Sequence, residues 1–280
     1  MSLLLCSDLD RTLIPNGAEP ESPGAREQLR RLVSREDVRL AYVSGRHRQL
    51  IEAAIEQWQL PRPDYAIGDV GTTIYRLSAD DWQPLAGWQA TIAPDWQGHD
   101  ATSLATLLGS VDGLWLQEAE KQNRFKLSYY AALDADRQRL LGTVEERLQR
   151  EGVRAKRIWS LDEEKGVGLL DVLPAAADKL AAIRFLMAEL GVDEAHTVFS
   201  GDSGNDLEPL TSGLQAVLVA NASDEVREAA LRGALEPQRL YLARGGFLGM
   251  NGNYSAGVVE GVAHFRPELA EWMEISAPRR

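Results

Sequence analysis

The chain has 280 residues and a single cysteine, Cys6, so an intrachain disulfide is excluded. Its net charge of −12 and pI of about 4.9 repel a phosphate backbone, so nucleic acid is not expected as a partner. No run approaches the roughly 20 apolar residues that cross a bilayer, and no basic segment followed by an apolar stretch opens the chain; no membrane partner is expected, and the cytoplasm is the expected location.

Leu3-Leu4-Leu5-Cys6 is a short apolar run ended by polar residues, as in a strand buried on both faces. Ser22 and Pro23 suit the start of a helix whose Ala25, Leu29, Leu32 and Val33 share a face. Val38 to Val43 reads as a second strand. Leu50, Ile51, Ala54, Ile55 and Trp58 stripe a second helix that stops before Pro61. Tyr65 to Ile67 reads as a third strand, and Gly68-Asp69-Val70-Gly71 as a flexible connection. It lacks the third glycine and the following helix of a dinucleotide loop.

From about Thr73 to Leu173 the pattern changes to longer, alternating strands such as Arg124 to Tyr130. Two helices interrupt them, near Ala101–Leu108 and Asp134–Arg150. Most of the seven tryptophans fall here and read as packing, with one or two free to stack on a sugar ring. After Pro174 strands and helices alternate again. A helix with Leu180, Ile183, Leu186, Met187 and Leu190 closes at Gly191. Strands follow at Thr197–Ser200, Ala216–Val219 and Leu240–Leu242, then a helix over Ala256–Phe265 and a frayed tail from Ala277. The expected fold is α/β: a doubly wound parallel sheet over residues 1–78 and 172–280, with an α+β cap inserted at 79–171.

In such sheets ligands bind beyond the carboxyl ends of the strands, and there the reactive residue types collect. Asp8 and Asp10 follow the first strand, two carboxylates that are costly to bury without a cation. Hard oxygen ligands of this kind suit Mg²⁺. Ser44-Gly45-Arg46 follows the second strand and offers a hydroxyl and free N–H groups to an anion. Gly201-Asp202-Ser203-Gly204-Asn205-Asp206 follows the strand at Val198, and Lys179 opens the helix before it. Acids, a hydroxyl and a lysine converging on one spot are what phosphoryl transfer needs.

Asp8-x-Asp10-x-Thr12, Ser44, Lys179 and Gly201-Asp202-x-x-Asn205-Asp206 together resemble the four motifs of the haloacid dehalogenase superfamily. The chain is most similar to its sucrose-phosphatase group, through segments such as Val70-Gly71-Thr72-Thr73-Ile74-Tyr75 and Gln122-Asn123-Arg124-Phe125-Lys126. The resemblance implies a Mg²⁺-dependent sugar phosphatase. Asp8 would be the nucleophile and Asp10 the general acid and base. Asp8, the Asp10 carbonyl, Asp202 and Asp206 would hold the metal. Ser44, Gly45, Lys179 and Asn205 would hold phosphate, and Gln122, Asn123 and Lys126 of the cap would face the sugar. The chain departs from the group at Arg11 and Leu180, where glycine is usual, and at Lys121, where glutamate is usual.

Taken singly, each motif has a plainer reading: Asp8-x-Asp10 as a turn, Ser44 as a helix cap, Lys179 and Lys126 as solvated residues. Gly201-Asp202-Ser203-Gly204 also looks like the serine string of trypsin-like proteases, but it lies in a βα pattern and no histidine has the matching context. The expected substrate is sucrose 6-phosphate, with mannosylfructose phosphate, a glyceryl glycoside phosphate or a hexose phosphate as alternatives. Passage of the phosphate to a second sugar stays open. So does a phosphatase-like binding module that partners a glycosyltransferase.

Overall fold

A computed structural model describes residues 2–78, 81–162 and 165–276; the tail expected to fray from Ala277 lies outside them. The first part of the chain runs β1 (Leu3–Ser7), α1 (Ala25–Val33), β2 (Val38–Val43), α2 (Arg48–Trp58), β3 (Tyr65–Gly68), β4 (Thr73–Leu77) and β5 (Trp82–Pro84). Next come α3 (Ala86–Ile92), α4 (Ala101–Leu108), β6 (Leu114–Leu116), β7 (Leu127–Ala131), α5 (Arg137–Arg150), β8 (Ala155–Asp162) and β9 (Val167–Pro174). The last part holds α6 (Lys179–Leu190), β10 (Thr197–Gly201), α7 (Leu207–Thr211), β11 (Gln215–Leu218), α8 (Asp224–Gly233), β12 (Leu240–Leu242), α9 (Ser255–Phe265) and α10 (Pro267–Ser276). No described helix is long and apolar enough to cross a membrane.

The fold is mixed α/β, built on two sheets. The larger has the order β12-β11-β10-β1-β2-β3-β4-β5, parallel from β12 to β3 and antiparallel at β4 and β5. β1 pairs with β2 on one side and β10 on the other, so the chain winds outward from it in both directions. The crevice at that switch point opens beyond Ser7 and Gly201. Every residue of β1 is buried, and its alternate residues serve opposite faces. Leu4 and Cys6 join one apolar cluster, Leu3 and Leu5 the other. The second face is closed by α1, α2, α9 and α10. α9 is buried from Ser255 to Ala263, and a β-carbon on its Gly261 would lie 2.2 Å from Val217 Cγ2, so only glycine permits this approach to β11.

The smaller sheet is antiparallel, in the order β6-β7-β9-β8. Its far face packs on α4 and α5 through Tyr129, Leu148 and Leu170. The same apolar cluster continues through Trp88, Trp96 and Phe125 to Ile183 and Leu186 of α6. A fully buried side chain of this size contributes roughly 1.5–3 kcal/mol, so the two sheets share much of one core.

Several expectations change. The larger sheet extends through Pro84, and α3 packs by Trp88 on Phe185 of α6, with ring centroids 5.3 Å apart. The boundary expected at residue 79 therefore falls short of the sheet edge, and β9 runs past 171 to Pro174. Ser22 does not cap α1: Gly24 does, in the left-handed region at φ 80°, while the Ser22 hydroxyl accepts from the Asn251 N–H. The strand expected from Arg124 begins at Leu127, because Asn123 and Lys126 exchange backbone hydrogen bonds in a turn and Asn123 Oδ1 accepts from the Phe125 N–H. Residues 69–71, expected as a flexible link, form an ordered turn. Its N–H groups at Asp69 and Val70 donate to the carbonyls of Arg46 and Ser44.

Candidate active site

Three carboxylates meet beyond the ends of β1 and β10. One oxygen from each of Asp8, Asp202 and Asp206 lies within 4.8 Å of the others, and all three residues are buried. Backbone pairing sets this up. The Asp8 N–H donates to the Ser200 carbonyl, holding the two strand ends in step. Asp206 closes the turn after β10: its Oδ2 accepts from the N–H of Asp202, the N–H of Ser203 and the Ser203 hydroxyl. Thr12 Oγ1 donates to Asp202 Oδ1 at 3.2 Å.

Lys179, the first residue of α6, is 3 % exposed and enters this cluster from behind. Its Nζ donates to Asp206 Oδ1 at 2.7 Å, Asp8 Oδ1 at 3.1 Å and Asn205 Oδ1 at 3.3 Å. Burial opposes its charge, but Asp8 and Asp206 outweigh burial and raise its pKa, so it remains an ammonium. Burial lifts the Asp8 carboxyl to about 8, with Lys179 pulling it down and the neighbouring acids pushing it up. Burial and then Asp206 lift Asp202 to about 6. The cluster thus carries more buried negative charge than one lysine offsets. All-oxygen donors with this excess fit a hard divalent cation. Asp8 and Asp202 line the cleft, whereas Asp206 is fully buried and saturated with hydrogen bonds; it positions the other two and Lys179.

The placing of Lys179 depends on the turn after β3. Gly71, at φ 94°, lies so close to the start of α6 that a β-carbon there would sit 2.4 Å from the Asp178 carbonyl and 2.9 Å from the Lys179 nitrogen. The Trp88 indole N–H donates to the Gly71 carbonyl and pins the turn. Leu180 follows Lys179 in the first turn of α6, which Asp178 caps by accepting from the Ala181 N–H.

Asp10 points elsewhere. Its carboxylate takes a two-pronged bond from Arg46, at 2.7 and 2.6 Å, and a third from the Asn16 amide at 2.9 Å. Burial raises its pKa, but the Arg46 bonds more than cancel this and leave it below the usual carboxylate value. Arg11 sits at φ 57°, the left-handed region that glycine adopts without strain, which fits the glycine that the family resemblance leads one to expect there. In return its guanidinium reaches Asp202 at 3.4 Å and Asn221 fixes its backbone. Ser44 is buried and its hydroxyl accepts from the Arg46 N–H; Gly45 beside it is exposed to the cleft. With the Asn205 oxygen held by Lys179 and the Ser203 hydroxyl, its amide nitrogen is the group left to donate.

These residues form the floor of a cleft of about 350 Å³ whose roof is the smaller sheet. Of the three cap residues read from the sequence, Lys126 lines it, with Nζ bonded to the Lys121 carbonyl and 3.8 Å from Asp171. Gln122 and Asn123 do not. Gln122 bonds the backbone of Gln117 and Ser128, and Asn123 ties the cap to the core by donating to Thr72 Oγ1 at 3.1 Å. The roof is completed instead by Gln117, Lys121, Leu169 and Asp171, and the side wall by Leu50. Leu50 fits the apolar stripe of α2 on paper but is 43 % exposed. Alternation along β9 was the available signal for Leu169 and Asp171; nothing in the sequence marks Gln117.

The chain compares as follows with known proteins. Residues 1–266 match the family model of sucrose-6F-phosphate phosphohydrolase. A putative HAD-like hydrolase of Nitrosococcus oceani is 58 % identical over 97 % of this chain and 74 % of its own length. The mannosylfructose-phosphate phosphatase of Agrobacterium fabrum is 31 % identical over 80 % of this chain and 85 % of its own. The structure of the sucrose-phosphatase from Synechocystis, in complex with sucrose and phosphate, superposes with a TM-score of 0.70 at 25 % identity, covering 95 % of this chain and 98 % of that one. With the acid cluster, the buried lysine and the roofed cleft in place, these matches make the chain a phosphatase of the haloacid dehalogenase type, and it belongs to the sucrose-6F-phosphate phosphohydrolase family.

Proposed function

We propose that the chain hydrolyses a disaccharide or other glycosyl phosphate, sucrose 6-phosphate first among them, through a phosphorylated Asp8. The observation that carries this reading is Asp8 at the floor of a roofed cleft, bonded to a buried Lys179 and flanked by Asp202. Asp8 Oδ attacks phosphorus in line with the departing sugar oxygen, forming an acyl phosphate. The Lys179 ammonium, the Ser44 hydroxyl and the Gly45 N–H, with the Asn205 amide, hold the non-bridging oxygens. Asp10 gives its proton to the leaving sugar oxygen, then takes one from the water that cleaves the acyl phosphate. Its bonds to Arg46 keep it ionised at rest; a phosphate dianion in the cleft competes for the guanidinium and frees the carboxyl to take up a proton from bulk water before it donates.

Asp8 and Asp202, backed by Asp206 and the Asp10 carbonyl, are the residues that would hold Mg²⁺, whose charge when bound offsets that of the phosphoryl group. The polar roof of Gln117, Lys121, Lys126 and Asp171 suits a ligand rich in hydroxyls, in keeping with the sugar phosphates named for the relatives. Mannosylfructose phosphate, a glyceryl glycoside phosphate and a hexose phosphate are the alternative substrates. An enzyme that forms a glycosidic bond to a phosphorylated acceptor must supply such a compound. The test is release of phosphate from p-nitrophenyl phosphate and a panel of sugar phosphates. Wild type should act with Mg²⁺ and fall silent with EDTA, and Asp8→Asn should be inactive throughout. A silent wild type, or an active Asp8→Asn, would overturn the reading.

A further inference from the structure

Asp10 and Arg11 follow β1 in a loop whose course is set from outside. Arg11 holds its left-handed φ of 57° because its surroundings impose it. Two asparagines grip its backbone from opposite sides. The Arg11 N–H donates to Asn16 Oδ1 at 2.8 Å, and the Arg11 carbonyl accepts from Asn221 Nδ2 at 2.6 Å. Asn221 Oδ1 in turn accepts from the N–H of Tyr254, which is fully buried and itself at a positive φ of 51°. The Tyr254 hydroxyl donates to the Glu19 carbonyl at 3.0 Å and lies where a β-carbon on Gly17 would come within 2.6 Å of it. Asn251 and Asn253 both donate to the Pro20 carbonyl. Residues 17–20 are thus clamped to the loop before α9, and Asn16, although exposed, is held in place beside Asp10.

The Arg11 N–H can meet only an acceptor, so the Asn16 oxygen faces it and the amide nitrogen is turned to Asp10. Nδ2 donates to Asp10 Oδ1 at 2.9 Å. Arg46 shares that oxygen at 2.6 Å and holds Oδ2 at 2.7 Å. Once a phosphate draws the guanidinium away, Asn16 is the donor that stays on the carboxylate among the described residues. It keeps Oδ1 and leaves Oδ2 to carry the proton. A carboxyl pinned through one oxygen presents the other in a fixed direction, and proton transfer depends steeply on such placement. Asn16 does not line the cleft, so it acts on a bound ester through Asp10.

We propose that Asn16 is a positioning residue for the general acid: it aims the Asp10 carboxyl at the departing oxygen and holds it there after Arg46 lets go. This rests on the phosphatase reading above. The test compares kcat/KM for p-nitrophenyl phosphate and phenyl phosphate, because phenolate leaves less readily than p-nitrophenolate and needs the proton more. Asn16→Ala and Asn16→Asp should each lower kcat/KM for phenyl phosphate at least about fivefold more than for p-nitrophenyl phosphate. Asn16→Asp keeps an oxygen for the Arg11 N–H and replaces the donation to Asp10 by repulsion, so its melting temperature should stay within about 2 °C of wild type. In Asn16→Ala, inhibition by inorganic phosphate should stay within about twofold of wild type, since the phosphate-binding groups are untouched. Equal losses on the two esters, or full activity in Asn16→Asp, would overturn the positioning role and leave the phosphatase reading standing. A wild type that hydrolyses neither ester would strike the phosphatase reading, and the role with it.

Discussion

Replacing Lys179 by methionine keeps most of the side chain's volume and removes its charge. In the metal-free protein this strips Asp8 of its ammonium partner and Asp206 of one of its donors. Asp206 retains two N–H groups and a hydroxyl as donors, whereas Asp8 has less to hold its charge and takes up a proton. Breaking a buried pair by deleting one member costs about 3–5 kcal/mol. At about 2–4 °C per kcal/mol for chains approaching this length, the melting temperature should fall by roughly 6–20 °C. The loss should be larger at pH 8 than at pH 6, because protonation of Asp8 relieves part of it. The assay is thermal unfolding by circular dichroism in EDTA, on wild type and Lys179→Met at both pH values, then with Mg²⁺. Loss of activity alone decides nothing, since the lysine also touches phosphate in the proposed mechanism. A metal-free melting temperature within about 2 °C of wild type at pH 8 would refute the view that Lys179 holds the acid cluster together.

The pH dependence of the wild type carries a definite sign. Asp8 and Asp202 are raised to about 8 and about 6 from the ordinary 3.8, so the folded state binds protons that the unfolded chain has released. Metal-free stability should therefore fall as pH rises from 5 to 8, and saturating Mg²⁺ should flatten that slope; a metal-free melting temperature that rises over this range would contradict it. Gly71→Ala should push Asp178 and Lys179 away from the turn, cutting turnover of p-nitrophenyl phosphate at least about tenfold and costing about 1–3 kcal/mol of stability. Gly142→Ala, inside α5 with open space around its α-carbon, should instead stabilise by about 0.5–1 kcal/mol and leave turnover unchanged.

The order of strands and helices in the first and last thirds was legible because each obeys one period: β1 is apolar on both faces, and α6 carries its stripe from Leu180 to Leu190 and stops at a left-handed Gly191. The acids could be placed together because an α/β sheet delivers strand ends to one edge, and Asp8 and Asp202 follow neighbouring strands. The roof was less legible. Gln122 and Asn123 sit beside Lys126 in sequence, but the turn at 123–126 directs them into backbone bonds and toward Thr72. Leu50 satisfies a helical stripe yet lies beyond the edge of the core, since periodicity says which side chains share a face and not where the neighbouring element ends. Helix α3 and strand β5 went unseen for a related reason: both are short, and the strand earns its place by pairing with β4 rather than by its own pattern.

Strand β9 crosses the roof with Leu169 and Asp171 in the cleft, ends at Pro174, and is followed after four residues by Lys179. Lys156 on β8 grips Asp178, the residue just ahead of that lysine. The ceiling that meets the sugar and the charge that meets phosphorus are thus two ends of one lever. In the proposed reaction, any shift of β9 toward a ligand would reach the ammonium through those four residues and the Lys156–Asp178 pair.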